Sequence, residues 1–362
     1  VVRRGGNQQI IRSKRGTSNG RRIKEMILPI AVISKWPVLS VSIATSVISM
    51  VVLLSCAASH WPGKTNGCFE NYLVWVDCYC ERPRGNPGEA WFAQPANSWS
   101  NMGFIAVSLF IAWCSDTKSF PSPGFWNNDA RRGSEEKKNY MLENFHFQAS
   151  YVAAVAFLGP GSMFMHASLT NWGGVVDVFS MNLYALWAFV YTITRMFYPN
   201  RAVMVGASII YIFAIILLIG IFTKFSEIAT DLFSVLLASA IVFDVLWRLW
   251  NWHKKSGIRT QYKFFISAFL MLCAAIAIWM PSRSGGSFCF PESAFQGHGV
   301  WHVLTAISTG LYYFYICSEM TGQKLSPNQL VDTSASCAPF DVPKFLVRGV
   351  DEENGTFVDE VC

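Results

Sequence analysis

The chain has 362 residues, of which 52% are hydrophobic and only 14% charged, and its mean hydropathy is +0.30. Soluble domains carry about a quarter charged residues, so this composition excludes a soluble globular protein and identifies an integral membrane protein. The net charge of +6 reads as membrane topology and affinity for anionic membrane lipids, with no sign of a nucleic-acid-binding domain.

Residues 1–36 form a basic tail whose first 25 or so residues, rich in Gly, Ser and Asn, are predicted to be disordered. A helix needs about 20 apolar residues to cross ~30 Å of hydrocarbon. Eight windows meet that length, at about 37–58, 97–114, 147–168, 174–196, 202–222, 230–249, 262–280 and 297–317. The first stands apart behind the loop 59–96, and the other seven form a compact set over 97–318. The expected fold is therefore an all-α integral membrane protein, a seven-transmembrane-helix core with one extra N-terminal transmembrane helix, followed by a polar tail over 319–362. The first window ends in small residues suited to signal cleavage, Ser55-Cys-Ala-Ala-Ser59. It is longer than the usual apolar region of a signal peptide and follows a long basic stretch, so a retained signal anchor is expected.

Basic residues are retained on the cytoplasmic side. With eight crossings and a cytoplasmic N-terminus, only Lys64, Arg82, Arg84, Lys224 and Arg283 fall on the far side, against the other 24 of 29. Both termini are thus expected in the cytosol.

Polar side chains at membrane depth are costly and mark sites. His166 closes one apolar stretch, in Ser162-Met163-Phe164-Met165-His166, and His298 and His302 open another. Asp177 follows the turn at 170–174, and all four residues fall toward the non-cytoplasmic side. Ser162 and His166 share a helix face, as do His298 and His302. Three imidazoles with one open position form the ligand set of a catalytic zinc site, leaving Asp177 and Ser162 for the surrounding hydrogen bonds or the reaction. Haem between two helices is a second option, but it leaves one histidine and Asp177 without a task. His60, His146 and His253, in loops or at borders, carry no functional expectation.

Ser162-x3-His166-x10-Asp177 followed far downstream by His298-x3-His302 resembles the alkaline ceramidase family, seven-helix zinc amidases in a superfamily that also includes progestin and adiponectin-type receptors. Asp77-Cys-Tyr-Cys-Glu81 and Gln94-Pro-Ala-Asn97-Ser-Trp-Ser-Asn101 are similar to that family's signature, a Cys-Glu pair and then Asn-x3-Asn at a helix start. The likeness covers about residues 70–318. It implies that His166, His298 and His302 bind Zn2+, that Asp177 handles the proton of the attacking water, and that Ser162 steadies the zinc site or the developing oxyanion. It also implies ceramide as substrate, cleaved to a sphingoid base and a fatty acid in the endoplasmic reticulum or Golgi, with the site in the lumenal half. A zinc-containing lipid receptor or binding protein of the same superfamily is the alternative, and the Cys-Glu and Asn-x3-Asn signature favours the enzyme.

Family members that bind calcium use acidic and amide side chains in this signature. Here Pro83 stands where an asparagine is expected and Gln94 where a glutamate is expected, and Asp77 lies one residue further from Glu81 than in the animal enzymes. Ca2+ takes six to eight oxygens, so Asp77 and Glu81, with Asn97 and Glu89, are candidates for a weakened calcium site, and a loop cap held by hydrogen bonds is the other reading. The resemblance further implies a disulfide between Cys80 and Cys289. Cys56, Cys114, Cys273 and Cys317, in or at the ends of helices, are expected to be buried and inert. Asn354-Gly-Thr356 matches a glycosylation sequon on the cytosolic side, where it is expected to go unused. Asp244 and Arg248, one turn apart, read as a local ion pair with Arg248 reaching outward, beside an interfacial belt of Trp247, Trp250 and Trp252.

Overall fold

The computed structural model describes residues 35–64, 79–86, 88–119, 137–197, 201–224, 226–254, 258, 260–319, 321–322, 347–350 and 357–360. Long helices occupy all eight predicted windows. In chain order they are α1 (Pro37–Ala58), the short α2 (Pro95–Ser100) leading into α3 (Met102–Thr117), the single turn α4 (Tyr140–Glu143), α5 (Phe145–Ser168), α6 (Asn171–Arg195), α7 (Arg201–Lys224), α8 (Ser226–His253), α9 (Tyr262–Trp279) and α10 (Gly297–Cys317). A two-residue antiparallel ribbon pairs β1 (Lys137–Lys138) with β2 (Thr321–Gly322). A separate unit, residues 132–136 and 323–362, contains a second antiparallel ribbon, β3 (Val347–Val350) with β4 (Phe357–Glu360), in a tail for which the sequence predicted no structure. The sequon at 354–356 lies outside the described residues.

Five of the described helical segments are long and apolar enough to cross a membrane: Pro37–Ala58, Pro95–Thr117, Asn171–Arg195, Leu232–His253 and Tyr262–Ser282. The eight expected crossings are thus matched in helix position but only in part on apolarity. Of the three that fall short, α7 is described as an apolar helix only over Val205–Ile219, and the physical reason for the other two lies in α5 and α10. They span 24 and 21 residues, yet carry Gln148, Ser162, His166 and Ser168 in one and His298, His302 and Thr309 in the other, all buried inside the protein. The helices that bring the histidines are the ones whose polar load dilutes their apolar signal.

α5 lies at the centre, against α1, α3 and α6, while α10 packs on α3 and α9. Residues 159–161 of α5 read Gly-Pro-Gly and permit this. A Cβ at Gly159 would lie 2.8 Å from the Asn101 carbonyl oxygen, and one at Gly161 would lie 2.6 Å from the Ser180 Cβ, so α3 and α6 approach α5 at backbone distance just before Ser162. The end of α5 is fixed by Leu169 in the left-handed conformation (φ 53°). The Thr170 hydroxyl then accepts from the Gly173 amide at 3.1 Å, capping the start of α6. That tight reversal brings Asp177, in the second turn of α6, back beside Ser162. Farther along the core, Tyr151, Trp187, Tyr191 and Tyr313 fill the space between α5, α6 and α10, with the Tyr151 hydroxyl donating to the Thr309 carbonyl at 2.6 Å.

At the other end of α6, the buried charges are arranged differently from the sequence expectation. The Asp244–Arg248 pair is only a 3.9 Å contact, and Arg248 does not reach outward: its side chain is 7% exposed. Arg195 pairs with Asp244 and, at 3.3 Å, with Glu319, while Arg248 pairs with Glu319 and donates to Thr260. The Trp247 ring lies against both guanidiniums, at 4.5 and 4.9 Å, so of the expected belt only Trp250 and Trp252 are exposed. Among the helix cysteines Cys114 and Cys317 are buried and Cys56 half-buried, but Cys273 is exposed on α9. The expectation for that residue failed because α9 turns most of its surface outward.

Candidate metal centre

Three imidazoles converge at one end of the bundle. His166 sits in the last turn of α5, and His298 and His302 occupy successive turns at the start of α10. One nitrogen from each lies within 4.8 Å of the others, and all three residues are buried. The closest pair is His166 Nε2 and His298 Nε2 at 3.1 Å. Nitrogens bound at ~2.0–2.1 Å to a tetrahedral zinc ion stand about 3.3 Å apart, so this pair already has the separation that a shared ion imposes. The donor set fits a zinc ion on chemical grounds as well: three neutral nitrogens, no thiolate, and a carboxylate close by rather than among them.

Each ring is held from its outer side. His166 Nδ1 is 2.9 Å from Gln94 Oε1, and the Gln94 amide nitrogen Nε2 donates to the Glu81 carbonyl at 2.6 Å. An amide oxygen accepts only, so His166 carries its proton on Nδ1 and presents Nε2 inward. His302 Nδ1 is 2.8 Å from Ser100 Oγ, and its Nε2 faces Ser162 Oγ at 3.5 Å. His298 Nδ1 has no hydrogen-bond partner among the described residues, and its ring instead packs against Tyr79, centroid to centroid at 4.3 Å. Tyr79 also meets His166 edge-on at 4.6 Å. Burial first, and then the nearby Asp177 charge, push its phenol above the ordinary range, which leaves the hydroxyl a proton donor.

Asp177 is 8% exposed, and its carboxylate lies beside the Ser162 hydroxyl. The structure therefore brings together Ser162, His166, Asp177, His298 and His302, the five residues that the sequence singled out for the zinc site. Glu81 lies elsewhere in the loop as a helix cap: its two carboxylate oxygens each accept, at 2.8 Å, from the amides of Ala96 and Asn97 at the start of α2. Burial raises its carboxyl above the usual range against the pull of those amides and of Arg84. Asp77, the other calcium candidate, lies outside the described residues, as do Cys68 and Cys78. The disulfide implied by resemblance is present between Cys80 and Cys289, across 209 residues, with a Cα separation of 5.4 Å.

Gln94, Ser100 and Tyr79 were missed as partners of the histidines. Ser100 and Gln94 lie inside the signature quoted above, but no spacing rule couples a loop residue to a histidine some 70 or 200 positions away. Only the fold supplies that pairing.

The ceramidase family model matches residues 89–336, which includes Ser162, His166, Asp177, His298 and His302 and begins after Glu81. No curated protein matches the chain. A match over most of the chain, centred on a buried three-histidine cluster with a carboxylate beside it, assigns the protein: the chain belongs to the ceramidase family.

Proposed function

We propose that the protein is a zinc-dependent amidohydrolase that cleaves the amide of ceramide to a sphingoid base and a free fatty acid. The observation that carries this reading is the convergence of three buried imidazole nitrogens within 4.8 Å, two of them steered by hydrogen bonds at the far side of the ring. His166, His298 and His302 would hold the ion. Zinc bound there supplies Lewis acidity toward the amide carbonyl and makes water acidic enough to attack near neutral pH.

The protein's own residues do the rest. Asp177 takes a proton from the attacking water as the C–O bond forms and passes it to the departing amine nitrogen as the C–N bond breaks, so one water is consumed per amide cleaved. Ser162, between Asp177 and His302, donates to the carboxylate and keeps it aimed at the reacting centre. Tyr79 covers the loop side of the cluster and limits access of bulk water. Ceramide suits this location because both of its chains are apolar and can remain among the helices while the amide reaches the polar end.

All eight long helices are inferred to cross the membrane, with both termini in the cytosol and the histidine end in the lumen of the endoplasmic reticulum or Golgi. The Cys80–Cys289 bond at that end supports the orientation, because disulfides persist in oxidising compartments. A calcium ion at Asp77 and Glu81 would have to use lone pairs left over from the α2 cap, and calcium titration of the purified protein tests it. The test of the main reading is Asp177→Asn in zinc-loaded protein. Turnover should fall about 10²- to 10⁴-fold with zinc content unchanged, and undiminished turnover would remove Asp177 from the mechanism.

A further inference from the structure

The family-matched region starts at residue 89, so α1 and the segment after it lie outside it. They are nevertheless stitched into the core at three levels. At its start, α1 donates the amides of Val38 and Leu39 to the Asp116 carboxylate of α3, at 3.2 and 2.8 Å. Midway, Ser42 and Ser108 share a 2.7 Å hydrogen bond, and Ser108 goes on to the Val152 carbonyl of α5 at 2.8 Å. At its end, Leu53, Ala57 and Trp61 pack on Met163, Phe164 and Ala167, the residues flanking His166. Apolar burial does not drive helices together in lipid, so such polar stitches and close packing are what hold them.

Three residues past the end of α1, Trp61 links that helix to the last turns of α5, which carry His166. It is buried, meets Phe164 edge-on at 5.8 Å, and donates its indole N–H to the Ala90 carbonyl at 2.7 Å. Its backbone amide donates to the Gly88 carbonyl at 3.3 Å. The segment it grips runs along the end of α5, whose last carbonyls have no intrahelical partner. Gly88, Ala93 and Gln94 donate their amides to the carbonyls of Ser168, Ala167 and His166, at 2.8, 2.9 and 2.9 Å. That segment ends in the Gln94 side chain bonded to His166 Nδ1. On the other side, the Lys64 carbonyl accepts from the Asn171 amide at 2.9 Å, tying residues 61–64 to the start of α6.

We propose that α1 is a brace of the metal centre, with Trp61 as a positioning residue that fixes His166 through the 88–94 segment and Gln94. The N-terminal helix then belongs to the working unit and is not a removable anchor. This rests on the reading of the three histidines as a zinc site. The test compares wild type, Trp61→Phe, Trp61→Ala and, on the exposed face of α1, Ile48→Ala. Each purified protein is titrated with zinc against a chromophoric chelator and then assayed on ceramide. Trp61→Ala should weaken zinc binding about 10-fold, the low end of what losing a direct outer partner of a ligand costs, because Trp61 acts through Gln94, and lower kcat more than KM. Trp61→Phe should fall between, and Ile48→Ala should match wild type.

A protease site inserted between the exposed residues Ser59 and His60 of the otherwise unchanged chain gives a readout that does not depend on how Trp61→Ala folds. After cleavage in detergent, α1 should remain with a core captured by a C-terminal tag. Wild-type zinc affinity in Trp61→Ala, or release of α1 with zinc affinity intact, would overturn the proposal. A protein that binds zinc but releases no fatty acid would instead sink the ceramidase reading and leave these two readouts standing.

Discussion

The two ends of α6 both bury polar side chains, and they do so in opposite ways. At one end Arg195 and Arg248 face Asp244 and Glu319, two charges of each sign, with the Tyr315 hydroxyl donating to Asp244 at 2.6 Å and the Trp247 ring against both guanidiniums. At the other end, about 27 Å away along the 18 residues from Asp177 to Arg195, three imidazoles point nitrogens at one another without an opposite charge among them. His298 Nδ1 and both polar atoms of the Asn97 side chain have no partner there among the described residues. Arg195 Nε and Arg248 Nε also lack hydrogen-bond partners among the described residues, but desolvated charges are tolerated when paired, and the first cluster is balanced in charge. The second has no such balance, and its His166 and His298 nitrogens already stand 3.1 Å apart, which is what makes it a candidate metal site. The difference separates a structural lock from a site, although both look alike as polar residues at membrane depth.

Substitutions can break or sharpen that contrast. The largest effect is expected at the open end: His302→Ala should lower ceramide turnover roughly a thousandfold or more, the several kcal/mol that a catalytic metal supplies, while the protein still folds. Fatty-acid release and a thermal melt together check this. At the closed end the order reverses. Glu319→Gln leaves two guanidiniums facing one carboxylate and should cost about 3–5 kcal/mol of stability, seen as a lowered melting temperature, with turnover per folded molecule unchanged; a normal melt with lost turnover would make that cluster functional.

Smaller effects probe what surrounds the histidines. Gln94→Leu removes the acceptor that fixes the His166 tautomer and should weaken zinc binding about 10- to 100-fold, whereas Gln94→Glu keeps an acceptor and should retain it. Chelator competition distinguishes the two. The smallest change is expected for Glu81→Gln, which weakens a helix cap worth about 0.5–2 kcal/mol and should leave zinc affinity alone.

The same contrast explains what could be read from sequence. Apolar windows gave the long helices to within a few residues because a bilayer imposes a length, and α1 and α10 match their predicted bounds, 37–58 and 297–317. The histidines were visible because an ionisable group in an apolar run stands out, and their spacing along α5 and α10 is local. The partners were not visible. Arg195, Arg248 and Glu319 come from three separate parts of the chain, so the local Asp244–Arg248 spacing suggested a pair that the fold keeps only at 3.9 Å. Gln94 looked like a broken calcium position, and nothing in the linear order shows that it faces His166. The Cys80–Cys289 link came from family resemblance, since ten cysteines alone do not select a pairing.

The most direct measurement is fatty acid released from ceramide by purified protein, wild type beside His302→Ala, with zinc counted in both samples. The proposed function predicts about one zinc per chain and steady release in the wild type, with both lost in the variant. Release that continues in the variant, or zinc-loaded wild type that leaves every ceramide intact, would contradict it.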